Sequence, residues 1–190
     1  MPRLFTGLAL PGDIVATLAD VEEPLPGASW IEADDLHLTL RFAGDIDNRL
    51  AHEFAEELAR IDADVFELAI EGVGVFGGND PKILWAGVRP SAPLDALARA
   101  HERAARSVGM APVPRPFRAH ITLARLRNVE IAKLTDILAR RALLRTRPFV
   151  VEEFLLYSSR PRTGGGPYVV EEAFRLRGAR PDDATFDLKR

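Results

Sequence analysis

The sequence predicts an α+β fold of two similar lobes, each with an antiparallel sheet and flanking helices, facing one another across a central cleft. Three observations carry this. Strand-like and helix-like segments follow the order β-α-β-α-β-β-α-β-α-β-β, and consecutive strand pairs read as hairpins, which favours antiparallel sheets. Two strands carry the same pattern, His-x-Thr, at His37 with Thr39 and at His120 with Thr122, and a helix follows each. Nearly half of the 190 residues are apolar, enough for the core of one bilobal domain, expected over residues 1–178 with a mobile tail at 179–190.

Residues 3–10 read as the first strand. Residues 12–23 place Ile14, Leu18 and Val21 at helical spacing, with Pro11 and Asp13 near the start. A loop follows, with a short strand around Trp30. The next strand, ending at Gly44, alternates: Leu36, Leu38, Leu40 and Phe42 on one side, His37, Thr39 and Arg41 on the other. Residues 47–61 put Leu50, Phe54, Leu58 and Ile61 on one helical face. Residues 65–76 read as one strand, joined by the turn Gly-Gly-Asn-Asp-Pro to a second at 82–88. Residues 93–109 form an amphipathic helix with Gly109 as its stop. A proline-rich connection leads to the second motif strand at 118–126. A helix at 129–142 follows, then strands at 148–158 and 167–176 around a glycine-rich turn containing Gly164, Gly165 and Gly166.

The net charge of −3 gives no overall attraction for nucleic acid, so an anionic substrate must meet a local cationic patch. The absence of cysteine excludes disulfides, thiolate metal sites and cysteine nucleophiles. It is compatible with a reducing cytoplasm, the compartment expected here. The opening MPRLFTGLAL is broken by Pro11, Gly12 and Asp13 and reads as a strand rather than a signal peptide. No apolar run approaches membrane-spanning length, and no membrane partner is expected. Lys82, Lys133 and Lys189 are the only lysines, so arginine supplies the planar donors wherever a phosphate must be held.

A single histidine on an alternating strand is ordinarily structural. With four histidines and eight threonines, composition alone gives roughly 0.2 His-x-Thr occurrences, so two on matched strands ask for a chemical reason. Residues i and i+2 share a strand face, so each histidine and its threonine point the same way while Leu38, Leu40, Ile121 and Leu123 enter a core. Histidine takes up or releases a proton near neutral pH, so a pair can act as base and acid in one turnover. Threonine hydroxyls can donate to non-bridging phosphate oxygens. Exchange of one oxygen of a phosphodiester for another needs attack on one side and a protonated leaving group on the other. Two facing His-x-Thr strands supply that without a metal or cofactor. Residue chemistry alone does not say which histidine is the acid.

The segments RLFTGLALP, LHLTLRFAG, FRAHITLAR and FLLYSS resemble, in order and spacing over nearly the whole chain, the 2H phosphoesterase superfamily. The resemblance is to its bacterial branch, the RNA 2',3'-cyclic phosphodiesterases, also named 2'-5' RNA ligases. Ala119 stands where that family commonly has proline, and Arg41-Phe42-Ala43-Gly44 where it often has Lys-Phe-Leu-Gly. The resemblance implies a monomeric enzyme that opens RNA 2',3'-cyclic phosphate ends, or a cyclic nucleotide, to 2'-phosphomonoesters. It implies His37 as proton donor, His120 as proton acceptor, and Thr39 and Thr122 on the non-bridging oxygens. Arg125 resembles the position that contacts the nucleotide. Swapped roles describe the reverse reaction, ligation to a 5'-hydroxyl. An RNA-end binding or ligation factor, and a phosphodiesterase for another small cyclic phosphate, are the alternatives.

Arg41 shares the His37 face by alternation and is a substrate-binding candidate, as are Phe5 and Phe76 for base stacking, with a place in the core as their plainer role. Tyr157 and Ser159 stand at the end of a late strand as further candidates. His52 lacks a second histidine four residues on, where Glu56 stands, so no zinc-protease pattern arises. His101 with Glu102 likewise lacks a partner, and both histidines are expected on exposed helix faces. Glu152–Glu153 and Glu171–Glu172 are expected to have one solvated member each.

Overall fold

The computed structural model describes residues 3–159 and 168–179. Strand β1 (Arg3–Ala9) is followed by helix α1 (Gly12–Ala19), a short strand β2 (Ala28–Trp30), a 3-10 turn (Ala33–Asp35), β3 (His37–Asp45) and α2 (Asn48–Leu58). Then come β4 (Phe66–Leu68), β5 (Ile70–Phe76), β6 (Ile83–Val88), α3 (Ala92–Ser107), β7 (His120–Leu126) and α4 (Ile131–Arg141). The chain closes with β8 (Phe149–Val151), β9 (Glu153–Ser159) and β10 (Tyr168–Arg175). The glycine run at 164–166 and the chain beyond residue 179 lie outside the described residues.

The fold is α+β, and its sheets are antiparallel. The main sheet has the order β10-β9-β1-β3-β7-β6-β5, with β2 also paired to β7. Its two halves meet at one pair only, Leu38 opposite Ile121, between β3 and β7. These are the central residues of the two His-x-Thr motifs. Around that pair the halves repeat a unit, β1-α1-β3-α2 and β6-α3-β7-α4, with β9 flanking β1 and β5 flanking β6.

The helices form where the pattern asks for them. Asp47 caps α2, accepting from the Leu50 amide at 2.8 Å, and the helix buries Phe54 and Leu58. Ser91 caps α3, which buries Leu94, Leu97, Ala98, Ala104 and Ala105, and Gly109 (φ 85°) follows its end. These apolar stripes, with Leu38, Leu40, Ile121 and Leu123, make the main core on the back of the sheet. A separate small cluster, Phe5, Leu155 and Tyr157, packs on the front with Ala9, Tyr168 and Val170.

Two expected strands are each two strands. Residues 65–76 divide at Ala69 and residues 148–158 at Glu152, and the first pieces leave the main sheet to pair as β4 with β8. The freed backbone groups find partners elsewhere: the Ala69 carbonyl accepts from the Arg89 amide and the Glu152 carbonyl from the Leu176 amide. The register also shifts between Val170 and Glu172 of β10, and both Glu171 and Glu172 are exposed.

The alternation of β3 does not run through to Phe42. Gly7 faces Thr39 and Thr6 faces Arg41, so Leu40 is an extra residue, a β-bulge. The phase flips there: Arg41 turns to the core, 7% exposed, and Phe42 turns outward, 45% exposed. Strand β7 repeats the device, with Trp85 facing Thr122, Leu84 facing Ala124, and Leu123 the extra residue. His101 is fully buried in α3, not exposed as its helix position suggested; its Nδ1–H donates to the Leu97 carbonyl at 2.9 Å and its ring stands edge-on to Phe154. His52 is exposed, 3.4 Å from Glu56. Among the described residues no helix is long and apolar enough to cross a membrane.

Candidate active site

The pairing of Leu38 with Ile121 decides the site. Because side chains alternate along each strand, His37 and Thr39 emerge on one side of that pair, and His120 and Thr122 emerge from the neighbouring strand on the same face of the sheet. The charge of His120 is felt at His37. Four residues separated in sequence thus surround one patch of the front face.

Both imidazoles are held in the same way. Nδ1 of His37 lies 2.7 Å from the Asp35 carbonyl, and Nδ1 of His120 lies 2.7 Å from the Arg118 carbonyl. A carbonyl only accepts, so Nδ1 carries hydrogen in both rings and Nε2 is left for chemistry. Nε2 of His37 is 3.0 Å from the Thr39 hydroxyl, which donates to it when the ring is neutral. Burial holds the pKa of His37 below its ordinary value, opposed by the Asp35 carbonyl and carboxylate and reinforced by His120.

Each ring has an aromatic setting. Phe5 lies under His37 with centroids 4.8 Å apart, stacks on Tyr157 at 5.0 Å, and meets the edge of Tyr168 at 4.9 Å. Tyr168 itself stands edge-on to His37 at 5.0 Å. Phe76 stands edge-on to His120 at 5.0 Å and leans on Trp85 at 5.2 Å. Phe5 is only 3% exposed, so it serves as a floor for His37 rather than an open stacking face. Tyr157 is 8% exposed in the same floor. Gly7 leaves room there, since a Cβ on it would lie 2.8 Å from the Leu38 carbonyl oxygen.

Arg41 is not on this face. Its guanidinium lies 2.6 Å from the Glu102 carboxylate on α3, and it donates to the carbonyls of Ala111, at 2.6 Å, and Phe42. The bulge at Leu40 is the reason. Arg125 is the position of β7 that corresponds to Phe42, one past the phase flip, and it is exposed on the site face. Its charge and that of Arg3 reach Tyr168, and among the described residues it has no carboxylate partner. Phe42 faces Phe5 across the strands, with the Arg3 guanidinium 5.1 Å from its ring centre. Ser159 pairs with Arg3 and Tyr168 at the edge of this surface.

Sequence reading did not pick out Tyr168, Asp35 or Arg118. The available signal was position: Asp35 and Arg118 each stand two residues before a motif histidine.

The chain matches the family described as LigT-like phosphoesterase over residues 8–85 and 88–168, two stretches with one His-x-Thr motif each. It is 34% identical over 169 residues to an RNA 2',3'-cyclic phosphodiesterase of Geobacillus stearothermophilus, covering 87% of this chain and 53% of the relative. It therefore spans about half the length of that relative. It is 30% identical over 154 residues to an Aquifex aeolicus protein of the same name, covering 78% of this chain and 82% of the relative. The crystal structure of Escherichia coli LigT complexed with 3'-AMP superposes with a TM-score of 0.76 at 27% identity, covering 93% of this chain and 99% of that one.

Proposed function

The chain belongs to the LigT-like phosphoesterase family, and from that premise we propose that it hydrolyses RNA 2',3'-cyclic phosphate ends to 2'-phosphomonoesters by two-histidine acid–base catalysis without a metal. One observation carries the reading: the Leu38–Ile121 pair, which sets both His-x-Thr faces around one patch. The names of the relatives supply the substrate class.

The cyclic phosphate lies between the two Nε2 atoms, its non-bridging oxygens accepting from the hydroxyls of Thr39 and Thr122. Water attacks phosphorus as its proton passes to Nε2 of neutral His120. The bond to O3' breaks, and O3' takes the proton from Nε2 of protonated His37. The phosphate stays on O2', and solvent restores the proton to His37 and removes it from His120. Burial favours neutral His37 in the free protein, and a phosphodiester anion beside Nε2 favours the charged form, so substrate loads its own acid. Arg125 and Arg3 supply positive charge at the rim, and Phe42 offers an exposed ring to a base.

The test is hydrolysis of an oligonucleotide bearing a 2',3'-cyclic phosphate, in EDTA. His37→Ala and His120→Ala are each expected to lower the rate at least about 100-fold with the fold intact. A variant of either histidine with full activity would overturn the mechanism. Loss of parent activity in EDTA, restored by added metal, would overturn its metal independence. Adding an acceptor RNA with a 5'-hydroxyl to the same assay reads out the reverse, ligation.

A further inference from the structure

The residue two before each histidine performs the same pair of tasks in both halves. Its carbonyl holds the ring through Nδ1: Asp35 for His37 and Arg118 for His120, both at 2.7 Å. Its side chain fixes the aromatic residue that stands edge-on to that ring. The Asp35 carboxylate accepts from the Tyr168 amide at 3.1 Å, and Tyr168 meets His37 edge-on. The Arg118 guanidinium lies 5.2 Å from the Phe76 ring centre, and Phe76 meets His120 edge-on. The geometry is repeated but the charge is reversed: an anion serves one histidine and a cation the other.

We infer that Asp35 and Arg118 are positioning residues whose opposite charges break the near-symmetry of the two halves, the Asp35 carboxylate favouring the charged form of His37 while a guanidinium stands on the side of His120. They thereby give the reaction its direction. The direction rests on the two-histidine reaction proposed above; the charge asymmetry does not. Burial already separates the two rings by holding the pKa of His37 below its ordinary value, and the Asp35 carboxylate opposes that bias. The other charged or titratable groups that face His37 are Tyr157 on β9, Tyr168 on β10 and His120 on β7, with Arg3 and Arg125 acting on Tyr168. Tyr157 and Tyr168 are both pushed towards the neutral phenol by burial, so neither supplies the charge that Asp35 does. On the His120 side, the Arg118 carbonyl holds the ring, the Arg118 guanidinium lies at Phe76, which meets His120 edge-on, and His37 is the other titratable group in electrostatic reach.

The experiment uses the full chain, with imidazole signals followed by NMR against pH and assigned by His37→Ala and His120→Ala. Asp35→Asn keeps the carbonyl and an acceptor for Tyr168 but removes the charge. It is expected to lower the titration midpoint of His37 by about half a pH unit, and Asp35→Glu to restore it. In the pH dependence of kcat/KM for a cyclic-phosphate oligonucleotide, Asp35→Asn moves one limb to lower pH. Arg118→Gln moves the other limb to higher pH, and Arg118→Lys leaves it in place. An unmoved His37 midpoint in Asp35→Asn, or limbs that stay put while the rate merely falls, would overturn the inference. If the midpoint moves but the parent protein cleaves no cyclic phosphate, the charge asymmetry stands and the proposed reaction falls.

Discussion

Acid should unseat helix α3 from the sheet that carries the first motif. His101 is fully buried there, its Nδ1–H on the Leu97 carbonyl, its Nε2 without a partner among the described residues, its ring edge-on to Phe154. Burial pushes its pKa from 6.5 down to about 4. The unfolded chain therefore binds more protons than the folded one between those values, so stability rises with pH across that window. The contribution is full above about 6.5 and is lost as pH falls towards about 4. Two and a half pH units correspond to about 3 kcal/mol, of which about 2 kcal/mol is gone by about pH 5. Urea unfolding of the parent and of His101→Leu, at several pH values between about 7.5 and about 5, measures it. His37 titrates in the same direction in both proteins, so the difference between them isolates His101. The parent is expected to lose about 2 kcal/mol more than the variant over that range. A leucine variant that loses as much stability as the parent would refute the assignment.

Two further outcomes follow from the strand that bears His37. Removing the carboxylate with Glu102→Ala leaves the guanidinium of Arg41, 7% exposed, facing carbonyls alone; the expected cost is about 2 kcal/mol in urea unfolding. Arg41→Met with Glu102→Leu should recover much of it and leave KM unchanged, and a Glu102→Ala protein as stable as the parent would contradict the buried pair. Gly7→Ala forces a Cβ to within 2.8 Å of the Leu38 carbonyl oxygen, beneath His37. The expected result is a loss of about 1–3 kcal/mol in thermal unfolding together with a slower kcat, and an unchanged midpoint would mean the strands yield there at no cost.

Much of the candidate site was legible in the amino-acid order because its histidines and threonines lie within two short strands. A histidine and a threonine two apart must share a face, and the repetition of that pair is visible without any structure. The helices were legible too, since Phe54 with Leu58, or Leu94 with Leu97 and Ala98, show a period that needs no knowledge of what they pack against. Arg41 was not. Its position two past Thr39 implied the site face, and one unpaired residue, Leu40, sent it to the core. His101 was misplaced for a related reason: a histidine among alanines reads as polar, while the space beside Phe154 that encloses it belongs to another strand.

The sequence by itself determined which residues could carry protons and phosphate, and that there were two sets of them. Only the tertiary structure decided that the sets meet. Periodicity reports neighbours along one chain segment, within a few residues. Register is a property of two segments, settled by which side chains fill the space between sheet and helices. Leu38 lies opposite Ile121 because both enter that shared core, and the bulges at Leu40 and Leu123 fall where each strand must keep packing as it bends away. The same cross-strand fit placed Tyr168 and Phe76 against the two rings, and with them the opposite charges of Asp35 and Arg118.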